Sequence, residues 1–204
     1  MGTSYEGLLV VGDLETVAGA LAAGGVTAYV ATVASGRMAV IPKGDPRWNV
    51  ADVAPIAVLL SGGHGLPVLA HDMYDSDRLS LWIYEHGVIT HEYVSDMASV
   101  GRVEETSEEF VRTVDGVTYA LDDPSAPRGP RGAAPDQLAR FGVGTIDYVR
   151  LGELLASSRD WVFANEMHAA IAEVLNLDPG PLTVAYHWIE GGDVDLDAVH
   201  VTPG

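Results

Sequence analysis

The stretch Leu66 to Val94, LPVLAHDMYDSDRLSLWIYEHGVITHEYV, constrains the fold of this chain more than any other part of the sequence. It combines an apolar strand, an acidic turn and two further strands around His86-Gly87, a two-residue turn of the kind that joins antiparallel neighbours. Three of the seven histidines lie within the stretch, and His64 lies just before it. We therefore place this stretch in the middle of a sheet and look there first for ligand groups.

The first 70 residues predict a strand, a helix, two strands, a second helix and a fourth strand, in that order. Asp13 is the predicted N-cap of the first helix, and Ser35-Gly36 is a hairpin turn. Pro55 is compatible with the second helix if that helix begins near Ala54, because proline is tolerated in a first turn. The predicted bounds are 5–11, 26–34, 37–42 and 66–70 for the strands, and 14–23 and 50–60 for the helices. This order is the split βαβ pattern of ferredoxin-like domains.

Residues 79–94 are predicted to extend the sheet as a hairpin of two strands, 79–85 and 88–94. A continuous antiparallel register through the turn pairs Trp82 with His91. One face of the hairpin then carries Trp82, Tyr84, His91 and Tyr93. Because large apolar groups lie on both faces, we expect helices from the C-terminal part of the chain to cover the aromatic face.

The rest of the chain is predicted to be mainly helical, with helices at 107–114, 136–141, 147–155 and 160–177 and a final strand at 181–190. Asp160 is the predicted N-cap of the last of these helices. Residues 121–135 are rich in proline and glycine, as is typical of a linker or exposed loop. We therefore predict an α+β fold: a ferredoxin-like βαββαβ core extended by a hairpin within residues 1–120, and a mainly helical part, residues 136–204, that returns one strand and packs on the same core.

The composition is that of a globular chain, with 48% hydrophobic and 20% charged residues. Its apolar runs are too short to span a bilayer. The N-terminal segment lacks the basic start of a signal peptide, and Met1-Gly2 followed by Tyr5 and Glu6 is a poor match to a myristoylation signal. The sequence has no cysteine, which excludes disulfides and thiolate metal sites. A reducing cytoplasm is the expected location.

Acidic residues dominate the charge, since 29 Asp and Glu face 11 Lys and Arg and give a net charge of −18. This charge disfavours direct binding to nucleic acid. Three interpretations remain open: a surface that keeps the chain in solution, a surface that docks a basic protein partner, and mimicry of nucleic acid. A homodimer is a further open prediction, because ferredoxin-like domains can pair edge to edge.

Five side chains in or near the central stretch are candidate metal ligands: His64, His71, Asp72, Asp75 and Asp77. Imidazole nitrogens and carboxylate oxygens are ligands that zinc, manganese or iron accept. Their spacing matches no known metal loop, and Asp75-Ser76-Asp77 lacks the glycine and the closing glutamate of a calcium loop. The alternative is an acidic turn, in which Asp and Ser bond to their own backbone.

A second candidate site combines the hairpin with the predicted helix 160–177. Its ligand-binding candidates are Trp82, Tyr84, His91, Asn165 and His168. His168 lies on or beside the apolar stripe of the helix, and it has no second histidine at the spacing of the HExxH zinc motif. Aromatic residues in two neighbouring strands, including Tyr186 and Trp188, also suit a core, and a histidine on an apolar face is commonly a hydrogen-bonded core residue.

The sequence contains no GxSxG elbow, no P-loop, no GxGxxG motif after a strand and no cysteine–histidine pair. We therefore name no catalytic residue and no cofactor. The leading hypothesis is a non-catalytic acidic module that binds a protein partner as a regulator or inhibitor. The second is a small-molecule sensor with a pocket between the hairpin 79–94 and the helix 160–177. The third is a metal-dependent enzyme that uses His64, His71 and nearby aspartates.

Overall fold

A large antiparallel sheet with helices on both faces organises the chain. The computed structural model describes residues 2–105, 110–157 and 163–204. The strands are β1 (Tyr5–Val11), β2 (Ala28–Ala34), β3 (Arg37–Pro42), β4 (Val68–Tyr74), β5 (Arg78–Glu85), β6 (Val88–Val94), β7 (Arg102–Glu105), β8 (Phe110–Val114), β9 (Val117–Ala120) and β10 (Val199–Val201). The helices are α1 (Leu14–Ala23), α2 (Val53–Val58), α3 (Pro135–Ala139), α4 (Tyr148–Ala156), α5 (Ala164–Val174) and α6 (Tyr186–Glu190). The predicted α+β class is therefore confirmed.

Seven strands form the main sheet in the order β10-β2-β3-β1-β4-β5-β6, and every neighbouring pair is antiparallel. The central strand β1 is apolar on both of its faces. Leu8 lies opposite Val40 of β3 and Ala70 of β4, while the next residue, Leu9, points to the other face. Each face of the sheet can therefore support a core of its own.

Helices cover both faces of the sheet. The first core lies between the sheet and helices α1 and α2, and it includes Leu8, Val10, Val17, Leu21, Ala57 and Leu60. The second core lies between the other face and helices α3 to α5, and it includes Leu9, Leu81, Leu138, Leu154, Met167 and Ile171. None of the helices within the described ranges is long and apolar enough to cross a membrane.

The helices on the first face, α1 and α2, each begin at a capping aspartate. The Asp13 carboxylate accepts hydrogen bonds from the main-chain N–H of Thr16 at 2.8 Å and from its hydroxyl at 2.9 Å, and these bonds lower the pKa of Asp13. Asp52 caps α2 by accepting a hydrogen bond from the N–H of Ala54 at 3.2 Å. Pro55 is then the third helical residue, where its missing N–H disturbs no intrahelical hydrogen bond.

The register of the β5–β6 hairpin differs from the sequence prediction. The pairing next to the turn is as predicted, but a β-bulge beside Tyr84 shifts the remaining pairs, so that Trp82 lies opposite Glu92 rather than His91. One extra residue exchanges the faces of all residues beyond it. His91 and Tyr93 therefore lie on the opposite face from Trp82 and Tyr84, and the predicted single aromatic face is wrong.

The segment predicted as helix 107–114 is a strand where the structure describes it. Residues 110–114 form β8, and Asp115-Gly116 turns the chain into β9. Both turn residues have positive φ, +49° and +79°, as a tight hairpin turn requires, and this turn overrides the helix-start signal at Ser107. Residues 107–109 of the predicted helix lie outside the described residues. Together β7, β8 and β9 form a second, three-stranded sheet.

The segment predicted as the final strand, 181–190, is helical. It forms a 3-10 turn at Gly180–Leu182 and then α6. A short apolar run cannot be assigned to strand or helix from its pattern alone. The strand that returns to the sheet is instead β10, from the acidic tail, where Val199 pairs with Val30 of β2. The predicted cap at Asp160 lies outside the described residues, and α5 lies within the predicted helix 160–177.

Residues 121–135 run beside the outer strand of the main sheet. Arg131 forms an isolated antiparallel bridge with Val94, and the N–H of Met97 donates to the carbonyl of Gly129 at 2.8 Å. The buried Arg112 of β8 donates to the carbonyl of Pro127 at 3.1 Å. These hydrogen bonds connect the segment to both sheets.

Candidate functional site

A cleft opens on the α2 side of the main sheet, where β1, β4 and β5 pass the loop 43–52. Its volume of about 670 Å³ falls within the range of small-ligand sites, about 300–1,000 Å³. Its lining residues include the acidic Glu6, Asp45, Asp52 and Asp72 and the aromatic Trp48, Tyr74, Trp82 and Tyr84. The cleft therefore combines negative charge with apolar, aromatic surface.

Strand register builds the floor of the cleft. Glu6 lies directly opposite Asp72 across β1 and β4, and Asp72 lies opposite Ser80 of β5. Directly opposed side chains have Cβ atoms about 4.5–5.5 Å apart. Alternation along β5 then places Trp82 and Tyr84 on the same face as Ser80. Two carboxyl groups and two aromatic rings thus share one side of three adjacent strands.

The loop 43–52 forms the outer wall. The N–H of Asp45 donates to the carbonyl of Val50 at 2.9 Å, and the N–H of Asn49 donates to the carbonyl of Asp45 at 2.7 Å. Asn49 has a φ of +54°, which asparagine adopts more readily than most residues. Trp48 stands on this turn at the rim of the cleft, where it is 68% exposed. Its ring is therefore largely exposed to solvent, with the guanidinium of Arg47 over it.

Glu6 is a half-buried carboxyl group with no cationic partner among the residues that the structure describes. One of its oxygens accepts a hydrogen bond from the main-chain N–H of Ala51 at 3.3 Å. Burial raises the pKa of Glu6 to about 7; the N–H of Ala51 acts against this shift, and the nearby Asp72 adds to it. Across the ranges that the structure describes, no basic side chain forms an ion pair with Glu6. A positive group entering the cleft would stabilise its charged form.

Asp72 shows how a cation is held at the edge of this cleft. Its carboxylate lies 3.3 Å from an Nη atom of Arg78, and the guanidinium carbon of Arg78 lies 5.1 Å from the centroid of the Tyr74 ring. Burial raises the pKa of Asp72, and Arg78 opposes that shift. One guanidinium is thus bound by a carboxylate and an aromatic ring together.

The predicted ligand-binding residues are divided between the two faces of the sheet. Trp82 and Tyr84 line the cleft. His91 lies on the opposite face, where its Nε2 lies 2.8 Å from the carbonyl oxygen of Gly132. Asn165 and His168 belong to α5, which covers that same opposite face. The structure therefore does not bring the five predicted residues together, because the bulge in β6 moves His91 to the other face and α5 covers that same face.

Tyr5, His71 and His168 form a buried polar cluster between the sheet and α5. The Tyr5 hydroxyl lies 2.9 Å from Nδ1 of His168, and the two imidazole rings have centroids 4.7 Å apart. Burial lowers the pKa of His168 to about 4, and burial and then His168 hold the pKa of His71 well below its usual value. Both histidines are therefore neutral at pH 7.

Gly7 makes room for this cluster, because it lies directly opposite His71 in the sheet. A Cβ at Gly7 would lie 2.7 Å from Nε2 of His71 and 3.1 Å from the carbonyl oxygen of Val40. We expect Gly7→Ala to lower the free energy of unfolding by about 1–3 kcal/mol, because a packed core has no room for an added methyl group. Urea denaturation measures this change.

Gly19 provides the matched control for Gly7. It lies within α1 and a Cβ there would meet no atom within 4 Å. Alanine at that position should raise the free energy of unfolding by up to about 1 kcal/mol, since glycine is a poor helix former. Equal effects of the two substitutions would contradict the tight packing of His71 against β1.

The predicted metal ligands do not converge either. His71 points into the second core, while Asp72, the next residue of β4, faces the cleft on the other side. Asp75 lies in the β4–β5 turn with a φ of +50°, and His64 and Asp77 are exposed. In the described part of the chain, no group of three or more His, Asp or Glu side chains is placed to hold a metal ion.

Several cleft residues were not among the sequence candidates, notably Glu6, Asp45, Trp48 and Asp52. A signal was present at Glu6, since a carboxyl group inside the apolar strand YEGLLVV must be exposed, paired or shifted in pKa. The loop residues gave no such signal, because only the folded chain brings them to β1 and β4.

Comparison with protein-family models, with curated proteins and with solved structures finds no match to this chain. The geometry and the charge of the cleft are therefore the basis on which a function is inferred.

Proposed function

We propose that this protein is a non-catalytic interaction module that binds a basic protein partner and takes a cationic side chain of that partner into the cleft. The observation that carries the proposal is Glu6: a half-buried carboxyl group, in a cleft with aromatic walls, that no described basic side chain neutralises. A guanidinium or ammonium group would supply the missing charge. The aromatic rings would contact the apolar part of the same side chain.

The overall charge supports a basic partner. The net charge of −18 creates a long-range field that attracts positive proteins and speeds their association. Four acidic residues, Glu6, Asp45, Asp52 and Asp72, line the cleft, and Arg78 is paired with Asp72. Low-dielectric aromatic walls weaken the screening of that charge by water.

We also propose that the core of the fold is ferredoxin-like. Its first four strands lie in the order β2-β3-β1-β4, with α1 and α2 on one face. This arrangement is the one expected when two split βαβ units interlock. The cleft then lies where the added hairpin meets that core, so that β5 supplies Trp82 and Tyr84.

The proposal is tested by titrating the protein with short arginine-containing peptides, with citrulline in place of arginine as the uncharged control. We expect Glu6→Gln to weaken binding of the arginine peptide by at least about tenfold, because a charged hydrogen bond is lost. Trp48→Ala should weaken it by about threefold to tenfold through the lost cation–π contact. Isothermal titration calorimetry measures both.

The controls are Glu173→Gln and Tyr148→Ala, which change exposed residues of α5 and α4, helices that cover the other face of the sheet. Both should bind as the unchanged protein does. Equal affinity for the arginine and citrulline peptides, or equal losses in the control variants, would contradict the proposal.

A second candidate function is a small-molecule sensor, which the size of the cleft favours. A single arginine side chain leaves part of the 670 Å³ unfilled, whereas a compact organic amine with an aromatic body would occupy more of it. Native mass spectrometry of freshly purified protein distinguishes the two functions. A retained small cation favours the sensor, and a ligand-free protein that binds the arginine peptide favours the interaction module.

A further inference from the structure

We propose that cation binding in the cleft is coupled to the loss of a proton from Glu6, so that the module holds its basic partner more tightly as the pH rises through neutrality. This inference rests on the proposed function, because it concerns the same cleft and the same cationic group. It adds a regulatory property: the carboxyl group exchanges one positive occupant, a proton, for another.

The first support is the crowding of acidic groups around Glu6. Asp72 is its direct cross-strand neighbour on β4, and Asp45 and Asp52 reach the same cavity from the loop and the cap of α2. With Glu6 and Asp72 both ionised, like charges oppose one another across β1 and β4 in a partly buried space. Protonation of one carboxyl group relieves this repulsion.

The second support is the placement of the nearby positive charges. Arg78, from the start of β5, is already paired with Asp72. Arg47 stacks on the Trp48 ring, with its guanidinium carbon 4.9 Å from the ring centroid. The single lysine of the chain, Lys43, forms an ion pair with Glu190.

The third support is that Glu6 is the group most suited to carry the proton. Asp72 has its own guanidinium partner, whereas Glu6 has one main-chain N–H at 3.3 Å. Tyr84, which lines the cleft, is neutral near pH 7, because burial, followed by Asp52, raises its pKa. Burial sets the pKa of Glu6 to about 7, so the exchange falls at neutral pH.

The coupling between cation binding and proton binding determines how the affinity changes with pH. A bound cation favours the ionised form of Glu6 and lowers its pKa, so binding releases a proton wherever the free protein is still protonated. Affinity then increases as the pH rises towards 7 and levels off above it. Between pH 5.5 and pH 8 we expect the affinity to rise by about tenfold to thirtyfold, which corresponds to one carboxyl group.

The experiment uses the full chain and a histidine-free arginine peptide, so that the ligand itself does not titrate in this range. Calorimetry at several pH values, each in two buffers with different ionisation enthalpies, gives affinity and proton release together. We expect the release of about one proton per bound peptide at pH 6 and close to none at pH 8. Glu6→Gln should bind weakly with a flat pH profile, and Glu173→Gln should keep the profile of the unchanged protein.

Two results would overturn the coupling alone: binding that needs Trp48 and the arginine charge but does not vary with pH, and a pH profile that survives in Glu6→Gln. Failure of the proposed function has a different signature, since arginine and citrulline peptides would then bind alike at every pH, and the coupling would fail with it. Carboxyl-detected NMR of the unchanged protein measures the titration of Glu6 directly, without any substitution. A Glu6 carboxyl group that titrates near 4.5, its ordinary value, contradicts the inference.

Discussion

Phe141→Ala is expected to lower the free energy of unfolding of the whole protein by about 3–5 kcal/mol. Phe141 follows α3 and is 0% exposed. Its ring belongs to the core that also contains Leu81 of β5 and Leu154 of α4. Removal of this ring leaves a cavity between the sheet and the helices, and such cavities are costly because the surroundings collapse only partly.

Hydrogen bonds from the Arg37 side chain to main-chain carbonyls beside Phe141 connect the sheet to the C-terminal helices. Arg37, at the start of β3, donates from Nε to the carbonyl of Phe141 at 2.7 Å and from an Nη atom to the carbonyl of Gly142 at 3.0 Å. Because the sheet and the helices share both a core and these hydrogen bonds, we expect one cooperative unfolding transition. Circular dichroism and tryptophan fluorescence should report the same midpoint in urea.

Phe163→Ala is the matched control, since Phe163 is 49% exposed at the start of α5. Its loss should change the stability much less than the loss of Phe141. Two separate transitions, with the sheet unaffected by Phe141→Ala, would show that residues 136–204 fold independently of residues 1–120.

The second large effect expected is a loss of stability in mild acid, caused by the buried histidines. The pKa of His168 is lowered from 6.5 to about 4 by burial, and that of His71 is lowered in the same direction. The unfolded chain therefore binds protons that the folded chain excludes. The stability that comes from keeping these histidines neutral is complete above pH 6.5, and it is lost as the pH falls towards 4. His168 alone should contribute about 2 kcal/mol of this loss between pH 7.5 and pH 5.

Glu6 acts in the opposite direction, because its pKa is raised on folding from 4.5 to about 7. The contribution of Glu6 to the free energy of unfolding is fully present below pH 4.5 and is lost as the pH rises through 7. The histidine effect is therefore measured in the Glu6→Gln protein, by urea denaturation between pH 7.5 and pH 5. Addition of His168→Gln should reduce the acid-induced loss by about 2 kcal/mol. An unchanged pH profile after that addition would contradict the neutral, buried state of His168.

Local signals predicted much of the fold where they agreed with its long-range contacts. The Asp13 cap and the Ser35-Gly36 turn are short-range features, and each is present as predicted. The local signal for a helix at 107–114 failed. Residues 110–120 form a hairpin through Asp115-Gly116 instead, because β8 gains partners on both sides.

The candidate site was harder to predict, because it depends on register and on loop placement. Trp82 and Tyr84 were predicted to face a pocket against the helix 160–177, but they line the cleft on the opposite, α2 side of the sheet. The bulge beside Tyr84 was not visible in the sequence, so His91 was assigned to the wrong face. Glu6 and Trp48 are separated by some forty residues of chain, and no local pattern connects them.

The most direct test of the proposed cation-binding cleft is a two-dimensional ¹H–¹⁵N NMR titration of the unchanged protein with the arginine peptide and, separately, with its citrulline counterpart. We expect the arginine peptide to shift the amide signals of Glu6, Ala51 and Asp72 and the indole signals of Trp48 and Trp82. The citrulline peptide should shift them far less. Shifts confined to the α4 and α5 side of the sheet, or identical responses to the two peptides, would contradict the assignment of the cleft as a cation-binding site.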